Sequence, residues 1–269
     1  MKKIFLVCLC LIMIIGVSGC KSNKVVSEKG EGKKEEVHEP KSFSEDNWST
    51  IISAVKSGNT SNYKVGDTKE IDMGDFGKHI IRIANMSTPS ECSNEDFSQT
   101  TCGFVLEFAD IITKHNMNSK ETTVGGWEKS ELRTYINNDI YNALPDSLKD
   151  AIIDTRVESG HGIMDKENFV TTDKLYLLSV EELSFDSTRN VSAIKTRKLD
   201  YYTTSGSDSA DMSLNIKKYQ DKASTWWLRG ALFSYGFNDG LFAAVTEKGY
   251  GNASWSKKIE GVSPAFRIG

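Results

Sequence analysis

The chain has 269 residues, 38% hydrophobic and 10% aromatic, which is enough apolar material for one sizeable core. Its 33 basic and 37 acidic side chains are evenly mixed, leave a net charge of −4 and form no basic stripe. That balance argues against a nucleic-acid partner, whose phosphates require clustered Lys and Arg.

The N-terminus reads Met1-Lys2-Lys3, then an apolar run from Ile4 to Val17, then Ser18-Gly19-Cys20. A basic start, a short greasy stretch and small residues before a cut site are the parts of a secretory signal. The run holds 14 residues, short of the ~20 that a membrane-spanning helix needs. Val17-Ser18-Gly19-Cys20 resembles the lipobox of bacterial lipoproteins. Residues 1–19 are therefore expected to leave as a signal peptide, with Cys20 acylated and holding an extracytoplasmic protein on the cell membrane. Each acyl CH₂ buried in lipid contributes ~0.8 kcal/mol, so two or three chains, palmitate among them, give a stable anchor. Residues 20–42 follow as Lys, Glu, Gly and Ser with almost nothing to bury. Such a stretch reads as a solvated tether.

A single α+β domain is expected over 43–269, with two or three amphipathic helices and an antiparallel β-meander at its C-terminus. Trp48, Ile51, Ile52 and Val55 fall on one helical face, which predicts a helix over 44–57 with Ser44 as N-cap and Gly58 as stop. His79 to Ile83 reads as a strand. The even spacing of Leu132, Ile136, Ile140 and Leu144 predicts a helix over 128–143, and Pro145 suits the first turn of another. Lys174 to Leu178 reads as a short strand, followed by Ser179-Val180-Glu181-Glu182 in capping-box form. Trp226-Trp227-Leu228-Arg229, Leu241 to Thr246 and Ala265 to Ile268 are the strands of the meander. Asn238-Asp239-Gly240 supplies turn chemistry between the first two. Trp226, Trp227 and Phe266 are expected in the core.

Cys8 and Cys10 leave with the signal, and Cys20 is the lipidated residue. Cys92 and Cys102 remain, ten positions apart. In an oxidising exterior they either close a small loop, worth roughly 2–3 kcal/mol on the loop-entropy account, or stay free on the surface. Without nearby histidines they do not make a zinc site. No other metal and no cofactor is expected.

Gly125-Gly126-Trp127, Leu132-Arg133-Thr134-Tyr135-Ile136-Asn137, Thr171 to Ser179, Trp226-Trp227-Leu228-Arg229 and Gly261 to Ile268 occur in that order. Together they resemble a domain-of-unknown-function family common in surface proteins of low-GC Gram-positive bacteria, over roughly 43–269. One departure is Gly230, where that family's pattern has Ser. The resemblance implies a C-type-lectin-like fold, shared with formylglycine-generating enzymes and phage receptor-binding proteins, with variable loops on a strand scaffold.

The chain lacks the cysteines that formylglycine generation needs beside its terminal strand. The S-x-x-K matches at Ser61, Ser192 and Ser254 have no Lys-Thr-Gly or Ser-Asp-Asn beside them. There is no H-E-x-x-H, P-loop or G-x-S-x-G elbow. His38 falls in the tether, His79 reads as structural, and His161 between two glycines as a loop residue. Asp208 and Asp211 read as a solvated acidic loop rather than a hard-cation site, and the calcium triplets of C-type lectins are missing. Tyr235, Phe237, Asn238, Asp239, Tyr250, Asn252 and Trp255 lie among glycines near the C-terminus. Aromatics give broad contact area at low entropy cost, and Asn and Asp add adaptable hydrogen bonds, so these seven are the candidate ligand-binding residues. The expected function is non-enzymatic recognition of a glycan, a wall polymer or another protein. The alternatives are a divergent formylglycine-type or wall-hydrolysing enzyme and a purely structural envelope lipoprotein.

Overall fold

Short strands, more than helices, build this fold in the computed structural model, which describes residues 36–87, 92, 98–183, 191–203, 211–233 and 239–269. Residues 1–35, with the expected signal and lipidated Cys20, lie outside the described residues. The first strands are β1 (Thr68–Asp72), β2 (Lys78–Met86), β3 (Phe104–Phe108) and β4 (Thr113–Asn116). A hairpin of β5 (Thr155–Ser159) and β6 (Phe169–Asp173) follows, then a smaller one of β7 (Lys218–Tyr219) and β8 (Lys222–Ala223). The last five are β9 (Trp226–Ala231), β10 (Leu241–Val245), β11 (Gly251–Trp255), β12 (Ile259–Val262) and β13 (Ala265–Ile268).

Two larger sheets result, one ordered β1-β2-β3-β13 and the other β11-β10-β9-β12-β4. β3, β9 and β10 are buried at every position, so they show no alternation of apolar and polar residues, and the charged side chains of Glu107 in β3 and Arg229 in β9 are buried with the rest. Side chains of both sheets join one core, with Trp226, Trp227 and Phe266 fully inside it.

The expected C-terminal meander holds only for β9, β10 and β11, which pair consecutively and antiparallel. β12 then leaves to pair in parallel with β9 and antiparallel with β4, and β13 joins the other sheet beside β3. Gly261 permits that crossing: its N–H donates to Thr225 O at 2.9 Å, and a Cβ there would sit 2.5 Å from Ile111.

The first helix, α1, spans Trp48–Ser57 and starts later than expected. Asn47, not Ser44, is its cap, accepting from Thr50 N at 2.8 Å, and Gly58 stops it in the left-handed region at φ 75°. The residues just before it are held by Asp46, whose buried carboxylate accepts from Tyr63 Oη at 2.8 Å and Lys41 N at 2.9 Å. His38 N donates to Thr50 Oγ1 at 3.2 Å, and Asn62 Nδ2 to Pro40 O at 2.7 Å. Packing therefore begins before Phe43, inside what composition alone reads as tether.

The stripe of Leu132, Ile136, Ile140 and Leu144 is buried, on a helix of three segments. An α-turn over Glu131–Tyr135 is capped by Ser130, a π-turn covers Ile136–Ile140, and an α-turn over Tyr141–Ala143 closes it. An α-helix advances 3.6 residues per turn, so a strict spacing of four would wander around it. The wider i→i+5 turn in the middle brings the stripe back into line.

Lys174 to Leu178 is not a strand. β6 ends at Asp173, and the segment makes a single bridge, Tyr176 to Ala265, with Leu175, Tyr176, Leu177 and Leu178 all buried. The capping-box stretch caps only one 3-10 turn, Val180–Glu182, with Ser179 N donating to Glu182 Oε2 at 2.9 Å. Gly230 has a local cause: a Cβ there would meet Val191 Cγ1 at 2.6 Å, so Val191 occupies the room a serine would need. Cys92 and Cys102 are joined as a disulfide, Cα to Cα 5.1 Å.

Candidate functional site

Loops from four parts of the chain meet at one edge of the β9–β10 pair, and short polar contacts fix them to one another. Asp239 holds the first: Oδ1 accepts from Thr123 N at 2.7 Å and from the Thr123 hydroxyl, and Oδ2 accepts from Thr122 Oγ1 at 3.1 Å. Ser256 adds to this, its N–H donating to Gly240 O at 2.7 Å and its hydroxyl to Lys120 O at 3.0 Å. The second loop follows β5. Asp165 Oδ2 accepts from Gly125 N at 3.0 Å, and Gly162 is small because Thr123 Oγ1 lies 2.4 Å from where its Cβ would be. Asn168 fastens that loop to a third, donating to Ala193 O at 2.8 Å while its Oδ1 accepts from His161 N at 3.2 Å.

On this fixed frame several apolar side chains face outward. Val124 is 49% exposed, Met164 62% and Phe233 42%, and the Phe233 ring lies 5.4 Å from that of His161. Ile163 and Val170 are exposed as well. Apolar exposure gathered on loops that are rigidly tied has the character of a contact surface.

The four described residues among the seven candidate ligand-binding residues do not form one site. Tyr235, Phe237 and Asn238 lie outside the described residues. Asp239 and Trp255 are at the loop edge, but Asp239 spends its oxygens on Thr122 and Thr123, and Trp255 packs against Gly240 and the core. Tyr250, 57% exposed, and Asn252 sit toward the other end of the β10–β11 hairpin. Four register steps separate the Leu241–Trp255 pair from the Val245–Gly251 pair, roughly 14 Å at the rise of an antiparallel strand. Val124, Met164 and Phe233 carried no signal of their own. The glycines around His161 did mark this edge, although Gly162 serves the close approach of Thr123 and Gly160 that of Ser192, rather than the imidazole.

Strongly perturbed ionisable groups often mark active sites, and two clusters here qualify on chemistry. In the first, Glu107 accepts from Arg82 Nε at 2.9 Å, Lys217 Nζ at 2.6 Å and Tyr202 Oη at 3.0 Å. Lys217 also donates to Phe108 O and to Ser263 Oγ at 2.8 Å. Burial pushes the Lys217 ammonium down, against the pull of Glu107, to about 8. In the second, Arg229 grips Glu182 through both nitrogens at 2.7 Å. Glu107, Lys217, Glu182 and Arg229 are all fully buried, so both clusters brace the core and reach no substrate. Asp173 does the same nearer the surface, accepting from Trp127 Nε1 at 2.9 Å and Arg133 Nε at 2.7 Å. His79 is structural, its Nε2 2.8 Å from Phe76 O. Asp208 lies outside the described residues, and Asp211 caps a 3-10 turn by accepting from Ser213 N at 2.9 Å. Among the described residues no three His, Cys, Asp or Glu side chains converge on a metal position, and no helix is long and apolar enough to cross a membrane.

A family model described as a domain of unknown function, DUF6273, matches residues 103–269. The chain belongs to the DUF6273 family. No curated protein and no solved structure matches the chain. The DUF6273 match begins at the start of β3, so α1, β1 and β2 lie before it. Its range is narrower than the 43–269 that the motifs suggest. β2 nonetheless pairs with β3 from Ile81 to Met86, so the DUF6273 region and the segment before it share one sheet.

Proposed function

We propose that this DUF6273 protein is a lipid-anchored, extracytoplasmic recognition domain, and that the loop edge around Val124, Met164 and Phe233 contacts its ligand. The carrying observation is the combination found there: exposed apolar side chains on loops locked by Asp239, Asp165 and Asn168. A preorganised surface loses little freedom on binding, so its contacts convert to affinity. A C-type-lectin-like scaffold is consistent with this arrangement, since it too presents loops from one edge of a strand framework. The ligand is a glycan, a wall polymer or another protein, and Met164 and Phe233 are the central contacts.

The test is binding of the purified chain to arrays of glycans, wall polymers and envelope proteins, repeated with Met164→Ala and Phe233→Ala. Both residues are exposed and outside the buried core, so neither change should disturb folding. Each should weaken binding by tenfold or more, about 1.4 kcal/mol. Undiminished binding by the double variant would move the site elsewhere, with Tyr250 and Asn252 next in line.

The anchor has a separate test. Cys20→Ala is expected to release the protein into the medium or to leave an unprocessed precursor. Mature, detergent-extractable protein from that variant would refute the lipid anchor.

A further inference from the structure

A concave surface lies beside the disulfide. It is a cleft of about 730 Å³ between the end of α1, the start of β3 and the C-terminal strand β13. Both half-cystines line it, together with Lys56 from α1, Met86 from β2 and Arg267 from β13, and no acidic side chain among the described residues does.

The two sulfurs have different surroundings. Cys102 is 6% exposed, and its carbonyl accepts from Arg267 Nε at 2.7 Å. That bond holds Nη2 of the same guanidinium 3.8 Å from Cys102 Sγ. Cys92 is half-buried and is the more accessible of the two. Burial lowers the Arg267 guanidinium below its ordinary value, and among the described residues Tyr176 opposes this.

Thiol–disulfide exchange is governed by access to the attacked sulfur and by how readily the other sulfur leaves as an anion. A neighbouring Arg lowers the pKa of a thiol and so makes it the better leaving group. We propose that Cys92–Cys102 is a thiol-exchange site, at which an incoming thiolate attacks Cys92 Sγ and Cys102 leaves as a thiolate held by Arg267. One S–S bond forms between the incoming sulfur and Cys92. The bond to Cys102 breaks and its electron pair stays on Cys102 Sγ. A second thiol of the reductant then attacks the mixed disulfide at the reductant's own sulfur and releases Cys92. The reductant departs as a disulfide, having supplied both electrons. The partner is therefore a dithiol, or two equivalents of a monothiol, small enough to enter the cleft. Among the described residues, the charged side chains that line the cleft beside Cys102 are Arg267 from β13 and Lys56 from α1, and the buried Tyr176, whose phenol burial pushes far up and keeps neutral, acts on Arg267.

The full chain is incubated with glutathione over a pH series, quenched in acid and alkylated, and each cysteine peptide is read by mass spectrometry. That readout separates Cys92 and Cys102 from Cys8, Cys10 and Cys20. Glutathione should appear on Cys92 and the alkyl label on Cys102. In the reduced chain, Cys102 should reach half its maximal alkylation rate at least one pH unit below the ~8.5 of an ordinary thiol. Arg267→Met should move that midpoint back up and slow the exchange several-fold, and Arg267→Lys should recover part of both. Glutathione on Cys102, an ordinary midpoint in the unsubstituted chain, or a disulfide that resists glutathione while the chain stays folded would each overturn the proposal. These three outcomes are read on the unsubstituted protein, so they stand whether or not Arg267→Met folds.

Discussion

Glu182→Ala is expected to cost about 3–5 kcal/mol of folding stability, the range for removing one partner of a buried ion pair. Arg229 is fully buried in β9 and has few other options. Its Nη1 also donates to Leu177 O at 2.8 Å and its Nε to Glu158 O at 2.7 Å, but carbonyls do not neutralise a cation. Burial alone would lower the guanidinium pKa, and Glu182 outweighs it. The carboxylate does more than pair. It accepts from the Thr100 hydroxyl and from Ser179 N, so its loss unties the 3-10 turn and the end of the loop before β3 as well. Urea unfolding measures the cost. The double variant Glu182→Ala/Arg229→Met should recover much of it, because two apolar side chains leave no buried charge. A single substitution costing under 1 kcal/mol would mean that water reaches Arg229 and that the pair is not a core brace. Arg229→Lys should also be poorly tolerated, since an ammonium cannot reproduce the two-nitrogen grip.

Much of what Arg229 braces was legible locally. Trp226-Trp227-Leu228-Arg229 reads as a buried strand and is one, and the period-four stripe of Leu132 to Leu144 marks a helix face that is indeed inside. What stayed hidden was long-range. Gly261 is an ordinary turn residue until Thr225 and Ile111 press against it, and only that approach sends β12 past β9. Asp239 looked like a free polar contact because Thr122 and Thr123, which claim its oxygens, are more than a hundred positions away. Met164 and Phe233 were equally opaque, since an apolar residue in a loop is more often core than surface. A cluster of exposed apolar side chains becomes visible only when separate loops converge. The helix starts erred for a simpler reason. Ser44 and Asn47 are both acceptable caps, and the choice fell to Asn47 because Asp46 is drawn into the core by Tyr63 and Lys41.

The same long-range logic gives Glu107→Gln a pH dependence as well as a cost. Near neutral pH the variant should lose about 3–5 kcal/mol, since Arg82 and Lys217 become two buried cations without a carboxylate. Burial alone would raise the Glu107 carboxyl, but Arg82 and Lys217 outweigh it and hold it below the usual range. Its contribution is therefore complete above the unfolded value, about 4.3, and is lost as the pH falls through the lower folded value. In that window the unfolded chain binds more protons, so the native protein gains stability with rising pH. The variant has no such group, and the gap between the two should close from the acid side. Lys217 works at the other end. Its folded value of about 8 lies below the ordinary ammonium, so the unfolded chain again holds more protons and stability rises as pH climbs above 8. Without Glu107 the Lys217 ammonium is harder still to keep, and the variant should regain stability sooner and by more. The gap is then widest from about pH 5 up to the variant's own Lys217 value, which lies below 8, and narrows on both sides. Urea midpoints for the two proteins from acid to mildly alkaline pH would show this, whereas a gap that stays constant would mean that Glu107 acts through packing alone.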